Sequence, residues 1–393
     1  MAKNKTWFPW LVLILLYLNI FFAAMAENCM PPLFSEILKD IPMSKAQMGG
    51  VMSMFMVASI FFAPVLGALS DRIGCRWIFG IAGIVVAAAG GLRYFANSTQ
   101  DLFVCMFFLG AGYAALMTLF PKVLGSWFPP KMLATVTGIC FSSFVLGLAI
   151  AMSTSAGLLS PAFNGWRGVT VALGAVCMVT GILWMILYRD RQREAGDRGD
   201  REAMMAGFKN VFRITDVWLL AFFNGLQTTA IMSLNTLLPI TLEEKGIPNA
   251  GGVVSIMMFS SLIFTIIGGI ISDKFGKKKM FIVIGGIATG LCIPCLILFK
   301  GPLMILTLII VGAFSLPIGS IMFSAVVEVK GVGTSLAGTA VGLISMIGTV
   351  GGVIGPITAG MIIDASGQAW PGFVFMAAAV MIGGLVVIPS KLK

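Results

Sequence analysis

Histidine is absent from this chain of 393 residues, and charged residues make up only 11% of it, where a soluble domain carries about 25%. Without imidazole there is no His-ligated zinc site, no Ser-His-Asp triad and no His-x-Glu metal chemistry. So little charge beside 58% hydrophobic residues excludes a soluble globular enzyme and a disordered chain. Cysteine is scarce as well. Most of the seven lie inside apolar runs, where a thiol acts as a small hydrophobe, and Cys292-x-x-Cys295 has redox spacing but no second pair. The expectation is lipid-buried thiols, no disulfide framework, no metal and no cofactor.

What the chain has in quantity is apolar: 47 Gly, 30 Phe and 26 Met, with a mean hydropathy of +1.00. No aqueous core needs so much, because lipid-facing side chains must be apolar too. A spanning helix takes about 20 residues. Twelve apolar stretches bounded by charges, Pro or Gly stand out: 8–33, 48–69, 77–95, 102–125, 132–159, 167–187, 216–242, 251–271, 280–299, 302–327, 333–363 and 370–388. The expected fold is an all-α membrane protein with twelve transmembrane helices. The run from Trp7 to Met25 is too long for a cleaved signal and reads as the first span.

Charge placement sets the orientation. With the N-terminus inside, only Lys39, Lys45, Arg93, Arg167, Lys245 and Lys300 face outward, and every other one of the 26 Lys and Arg faces inward. The positive-inside rule then puts both termini in the cytoplasm of a cell-membrane protein. The net charge of +10 gathers against the inner leaflet, which argues against a nucleic-acid partner. Residues 189–213 form the one long hydrophilic segment, with basic and acidic residues alternating. Such a run reads as a solvated face or a surface helix. This cytoplasmic linker divides an N-terminal six-helix bundle, 1–188, from a C-terminal one, 214–393.

The two halves repeat each other at an offset of about 202 to 207 residues. Asn28-x-x-x-Pro32-x-x-x-Glu36 returns as Asn235-x-x-x-Pro239-x-x-x-Glu243. Gly49-Gly50-Val51-Met52-Ser53 returns as Gly251-Gly252-Val253-Val254-Ser255, Gly110-Ala111 as Gly312-Ala313, and Trp166-x-Gly168 as Trp370-x-Gly372. A duplicated unit with both copies in one orientation implies a pseudo-two-fold axis along the membrane normal, with a cleft near mid-membrane.

The segment Gly67-Ala-Leu-Ser-Asp71-Arg72-Ile-Gly74-Cys75-Arg76 resembles the signature loop between helices 2 and 3 of the major facilitator superfamily, Gly-x-x-x-Asp-Arg/Lys-x-Gly-Arg/Lys-Arg/Lys. Cys75 departs from the pattern, whereas the second copy, Gly269 to Lys278, fits it fully. The resemblance implies a secondary transporter with alternating access, a cavity lined by helices 1, 4, 7 and 10, and an inner gate at Asp71, Arg72, Arg76, Asp273 and Lys274 that latches the outward-open form. The stretch Pro121-Lys122 to Pro130-Lys131, followed by Thr137-Gly138, looks like the helix 4–5 turn of the organic-anion, oxalate/formate and nitrate-type branches. Three features depart from family patterns. Met106 stands where many proton-coupled members have Arg, helix 5 lacks the exporters' Gly-Pro pair, and spans 251–271 and 333–363 hold no Arg or Lys.

Polar groups at membrane depth are costly and become functional candidates. Asn19 lies near the middle of the first span. Glu27 lies about 12 Å further out at the helical rise, at the depth of Arg93. Glu27 is expected either to pair with Arg93 as an outer gate or to titrate as the coupling proton site. Asn19, Tyr113, Asn224, Gln227 and Ser315 are the candidate substrate ligands, and Lys122 and Glu328 join the inner gate by position. The expected activity is transport of a small organic anion, coupled to protons, by a monomer in the lipid bilayer. The alternative is a neutral or cationic amphiphile with Glu27 as its proton site; the convergent groups of an intramembrane enzyme and the pore ring of a channel are not evident. The topology is testable by C-terminal fusions. Green fluorescent protein is expected to fluoresce there and alkaline phosphatase to be inactive; the opposite pair of results would refute cytoplasmic termini.

Overall fold

A lipid core offers no water to backbone N–H and C=O groups, so long apolar runs must satisfy their own ladders as helices. The computed structural model describes residues 7–190, 211–275 and 277–390, and these are helical with short connections. Most of the 189–213 linker lies outside the described residues. The elements are α1 Phe8–Asn28, α2 Met30–Asp40, α3 Lys45–Ile73, α4 Cys75–Leu92, α5 Thr99–Trp127, α6 Pro130–Thr154, α7 Trp166–Leu187, α8 Thr215–Glu244, α9 Ala250–Phe275, α10 Lys278–Leu298, α11 Pro302–Ala325, α12 Gly333–Ser366 and α13 Ala369–Val386. Among the described residues eleven helices are long and apolar enough to cross a membrane, and α9 adds a shorter apolar stretch, Ala250–Thr265.

The first spanning helix ends at Asn28 rather than near residue 33, and a separate helix, α2, continues from Met30 to Asp40, with Pro31 and Pro32 in its first turn, where no N–H is required. Helix α6 passes through a π turn, Ser155–Leu159, and extends to Ala162. A capping box starts α5: Ser98 Oγ accepts from the Asp101 N–H at 3.3 Å, while Asp101 Oδ2 accepts from the Ser98 N–H at 2.9 Å.

The chain divides into two compact units, Met1–Pro42 with Met54–Glu194, and Met43–Ser53 with Ala195–Lys393. The first turns of α3 thus belong with the second unit. There the Asp364 carboxylate accepts the Lys45 and Ala46 N–H groups at 2.9 and 2.8 Å, Ser53 Oγ donates to the Val353 carbonyl at 2.7 Å, and Lys45 pairs with Glu244.

Inside each unit the same contacts recur. In the first, Gly110 on α5 lies against the Phe55 carbonyl of α3 so closely that a Cβ would overlap it, and Gly312 on α11 meets the Met257 carbonyl of α9 in the same way. Ser59 Oγ reaches the carbonyls of Phe55 and Gly110 at 3.1 and 3.4 Å; Ser261 Oγ reaches those of Met257 and Gly312, both at 2.9 Å. A Cβ on Gly83 would lie 3.1 Å from the Gly181 Cα, and one on Gly286 the same distance from the Gly384 Cα. With lipid tails as apolar as the side chains, close backbone approach at small residues supplies the packing. Gly110→Ala and Gly312→Ala are each expected to cost about 1–3 kcal/mol of stability by overpacking. Gly138→Ala, where a Cβ meets open space, is expected to be neutral or slightly stabilising. Thermal unfolding of the purified variants checks both.

Candidate functional site

In the first unit the intramembrane polar groups gather around the end of α1. Glu27 is 7% exposed and its Oε2 has no hydrogen-bond partner. Arg93, in the 3₁₀ turn after α4, is fully buried. The two do not form the expected ion pair. The guanidinium instead donates from Nε to the Gly90 carbonyl at 3.0 Å and from Nη2 to the Ala26 carbonyl at 2.7 Å, while Nη1 approaches the sulfurs of Cys29 at 4.0 Å and Met106 at 3.9 Å. Its reach is taken up by the α1 backbone one residue before Glu27. Tyr113 on α5 is buried against the rings of Phe55 and Phe144, at 4.9 and 6.2 Å, with its hydroxyl unpartnered. Asn19 is not free to meet a substrate through its N–H groups. Its Nδ2 donates to the carbonyls of Leu15 at 2.8 Å and Thr180 at 3.2 Å, tying α1 to α7.

In the second unit two candidates come together. Gln227 Nε2 on α8 donates to the Ser315 carbonyl on α11 at 2.5 Å, and Ser315 Oγ lies 3.2 Å from Ser261 Oγ on α9. Asn224 instead joins α8 to α12, donating to the Ile344 carbonyl at 3.0 Å. Asn235 keeps a buried Oδ1 without a partner.

At the helix ends opposite Asp101 and Asp364, the side chains of Asp71 and Asp273 lie outside the described residues. Arg72 and Lys274 are exposed. Arg76 is engaged within its own unit: its Nε donates to the Met185 carbonyl at 2.7 Å, and its backbone N–H, with that of Cys75, points to the Asp190 carboxylate. Gly74, at φ +96°, lets that carboxylate in, since a Cβ there would meet it. An acid at a helix N-terminus is favoured by the open N–H groups and the helix dipole. Lys122 Nζ lies 2.9 Å from Ser70 Oγ, and Glu328 pairs with Lys278 Nζ at 2.8 Å.

Sequence reasoning missed Asp190, Asp364, Ser261 and the Lys278–Glu328 pair as site-forming groups. Ser261 left a signal in its 202-residue offset from Ser59, and Lys278 and Glu328 were each in view, as the end of the second signature loop and as an inner-gate candidate, without being paired. Among the described residues no three Cys, Asp or Glu side chains come together to hold a metal ion.

The family model of the Major Facilitator Superfamily matches residues 16–337 and 217–391. The chain is 23% identical to the hexuronate transporter of Bacillus subtilis (strain 168), over 90% of this chain and 86% of that protein. It is 24% identical to the nitrite extrusion protein of the same organism, over 91% and 88%. The gallate transporter of Pseudomonas putida is 26% identical over 46% of this chain and 40% of its own length. Among solved structures, an inward-facing, unoccupied bacterial homologue of the human lysosomal transporter Spinster superposes with a TM-score of 0.79, covering 98% of this chain and 96% of that one at 14% identity, which speaks to the fold alone. A family match across nearly the whole chain, on helices that repeat their contacts half by half, leaves one assignment: this multi-pass membrane transporter, not an enzyme, belongs to the Major Facilitator Superfamily.

Proposed function

We propose that the chain moves a small organic anion by alternating access, in symport with a proton. In this reading it is a monomer that spans the cell membrane twelve times with both termini inside, and 1–188 and 214–393 form two pseudo-symmetric bundles joined by 189–213. The names of its relatives, for hexuronate, nitrite and gallate, support an anionic cargo. The observation that carries the reading is the pair of buried, unpartnered oxygens, Glu27 Oε2 and Tyr113 Oη, in apolar helices of one unit. An unsatisfied buried polar atom costs roughly 1–3 kcal/mol, so such atoms persist where something must engage them during the cycle.

The roles follow from the chemistry. Glu27 takes up the proton. A monoanion moving with one proton carries no net charge, so the membrane potential, about 2.3 kcal/mol per charge at 100 mV, does not oppose its entry. Tyr113 donates to the cargo's oxygens, while Gln227 and Ser315 offer it uncharged polar contacts. Arg93 holds the α1 backbone beside Glu27 and supplies positive charge at that depth. Asp71, Arg72, Arg76, Asp273 and Lys274, with Lys122 and the Lys278–Glu328 pair, form the inner gate. A second reading, a neutral or cationic amphiphile exchanged against a proton on Glu27, is favoured by the uncharged character of the Gln227–Ser315–Ser261 cluster.

The test is uptake of radiolabelled glucuronate and 4-hydroxybenzoate into proteoliposomes with and without an inward proton gradient. Saturable uptake stimulated by the gradient is expected. Glu27→Gln should keep substrate counterflow but lose the stimulation; stimulation unchanged in this variant would remove Glu27 from coupling. Tyr113→Phe should raise KM about tenfold or less, the weight of one net hydrogen bond. If both anions fail to enter while an amphiphilic cation does, the second reading replaces the first.

A further inference from the structure

The end of α10 that follows Lys277 carries charge that the transport reading does not use. A groove of about 350 Å³ there is lined by Lys277, Lys279, Met280, Val283 and Ile284. Its wall is apolar: Met280 is 43% exposed and Ile284, one turn on, 51%. Two of its lining residues are lysines, whose stems add to the apolar wall. Lys277 is exposed, and its ammonium has no partner among the described residues. Lys279 Nζ gives one hydrogen bond, to the Ser390 carbonyl at 2.8 Å, which leaves two of its three donors open. Lys278 is occupied with Glu328 and stands apart from the groove lining.

The internal repeat indicates what such a place accepts. The start of α4 in the first unit holds the Asp190 carboxylate on the N–H groups of Cys75 and Arg76, at 3.0 and 3.2 Å. α10 is the counterpart of α4, as the matching glycine contacts at Gly83 and Gly286 show. The start of α10 has no side-chain cap. At the 203-residue offset that relates Gly83 to Gly286, the position of the Asp190 acid is taken by Lys393. The chain supplies the anion in one copy and three consecutive lysines, Lys277 to Lys279, in the other.

We infer that this groove binds an anionic phospholipid of the leaflet it faces, its phosphate between Lys277 and Lys279 and an acyl chain along Met280, Val283 and Ile284. Cationic pockets at the ends of membrane helices suit acidic headgroups. A free phosphate would make no use of the apolar wall, whereas a lipid satisfies both parts at once. Each lysine is expected to contribute roughly fivefold to binding.

Native mass spectrometry of the purified full-length chain, titrated separately with dioleoylphosphatidylglycerol and dioleoylphosphatidylcholine, tests this. The first phosphatidylglycerol should bind at least about fivefold tighter than phosphatidylcholine. Lys277→Gln, which removes no bond seen in the protein, should reduce that preference, and the Lys277→Gln, Lys279→Gln double variant should abolish it. The corresponding double Arg variant should retain it, as should Lys300→Gln, which alters an exposed lysine just beyond the opposite end of α10. An unchanged melting temperature for Lys277→Gln separates lipid loss from unfolding. Equal binding of the two lipids by the native chain, a preference that survives the double Gln variant, or displacement of phosphatidylglycerol by an equal concentration of inorganic phosphate would each overturn the assignment.

Discussion

Inside a bilayer a hydrogen-bond donor can turn only to protein, and in this chain it turns almost always to a backbone carbonyl. Asn19 reaches Thr180, Asn224 reaches Ile344, Gln227 reaches Ser315 and Arg93 reaches Ala26. Each of these bonds crosses from one helix to another, so satisfying the donor also fixes a helix pair. Glycine makes room for it. The Asn224 amide lies where a Cβ on Gly348 would be, and Asn19 Oδ1 lies 3.3 Å from where one on Gly83 would project. Polarity and small residues therefore act together: the glycine brings the helices close, and the amide locks their register.

Against this background the unsatisfied groups stand out. Glu27 Oε2 and Tyr113 Oη are buried without a hydrogen-bond partner, as are Asn235 Oδ1, Trp184 Nε1 and Thr289 Oγ1. Arg93 underlines the contrast. Its cation is fully buried, yet it spends its donors on two carbonyls and approaches two sulfurs, weak acceptors, rather than the carboxylate. The buried guanidinium therefore ties the turn after α4 to the α1 backbone and makes no direct pair with the carboxylate one residue further on.

The duplicated architecture is not duplicated chemistry. The serine and glycine contacts of α3 with α5 return in α9 with α11. Glu27 has no such echo: it stands just before Asn28, and the residue just before Asn235 is Leu234. Asp190 likewise corresponds, at the 203-residue offset, to Lys393. Packing and the charged signature loops are shared between the halves, because both solve the same lipid problem, while Glu27 and Asp190 occur in one half alone.

Composition and repeat pattern were sufficient for the helical membrane class and the candidate polar residues, because lipid demands long apolar runs and duplication leaves matching offsets; the family came from the resemblance of the loops Gly67 to Arg76 and Gly269 to Lys278 to a known signature. The pairing of Gln227 with Ser315 was latent in that list of residues, as both were candidate substrate ligands, in the seventh and tenth spans. Which candidates bind a carbonyl and which remain open could not be read from the sequence. Asn19 and Glu27 look alike as polar residues in one apolar helix, and only the position of Thr180 on α7 and of the Arg93 side chain separates them. The same holds for Asp190 and Asp364, ordinary surface acids until the fold brings them to the first N–H groups of α4 and α3. A hydrogen bond across hundreds of residues depends on angstrom-scale helix packing, and that is decided by the tertiary structure alone.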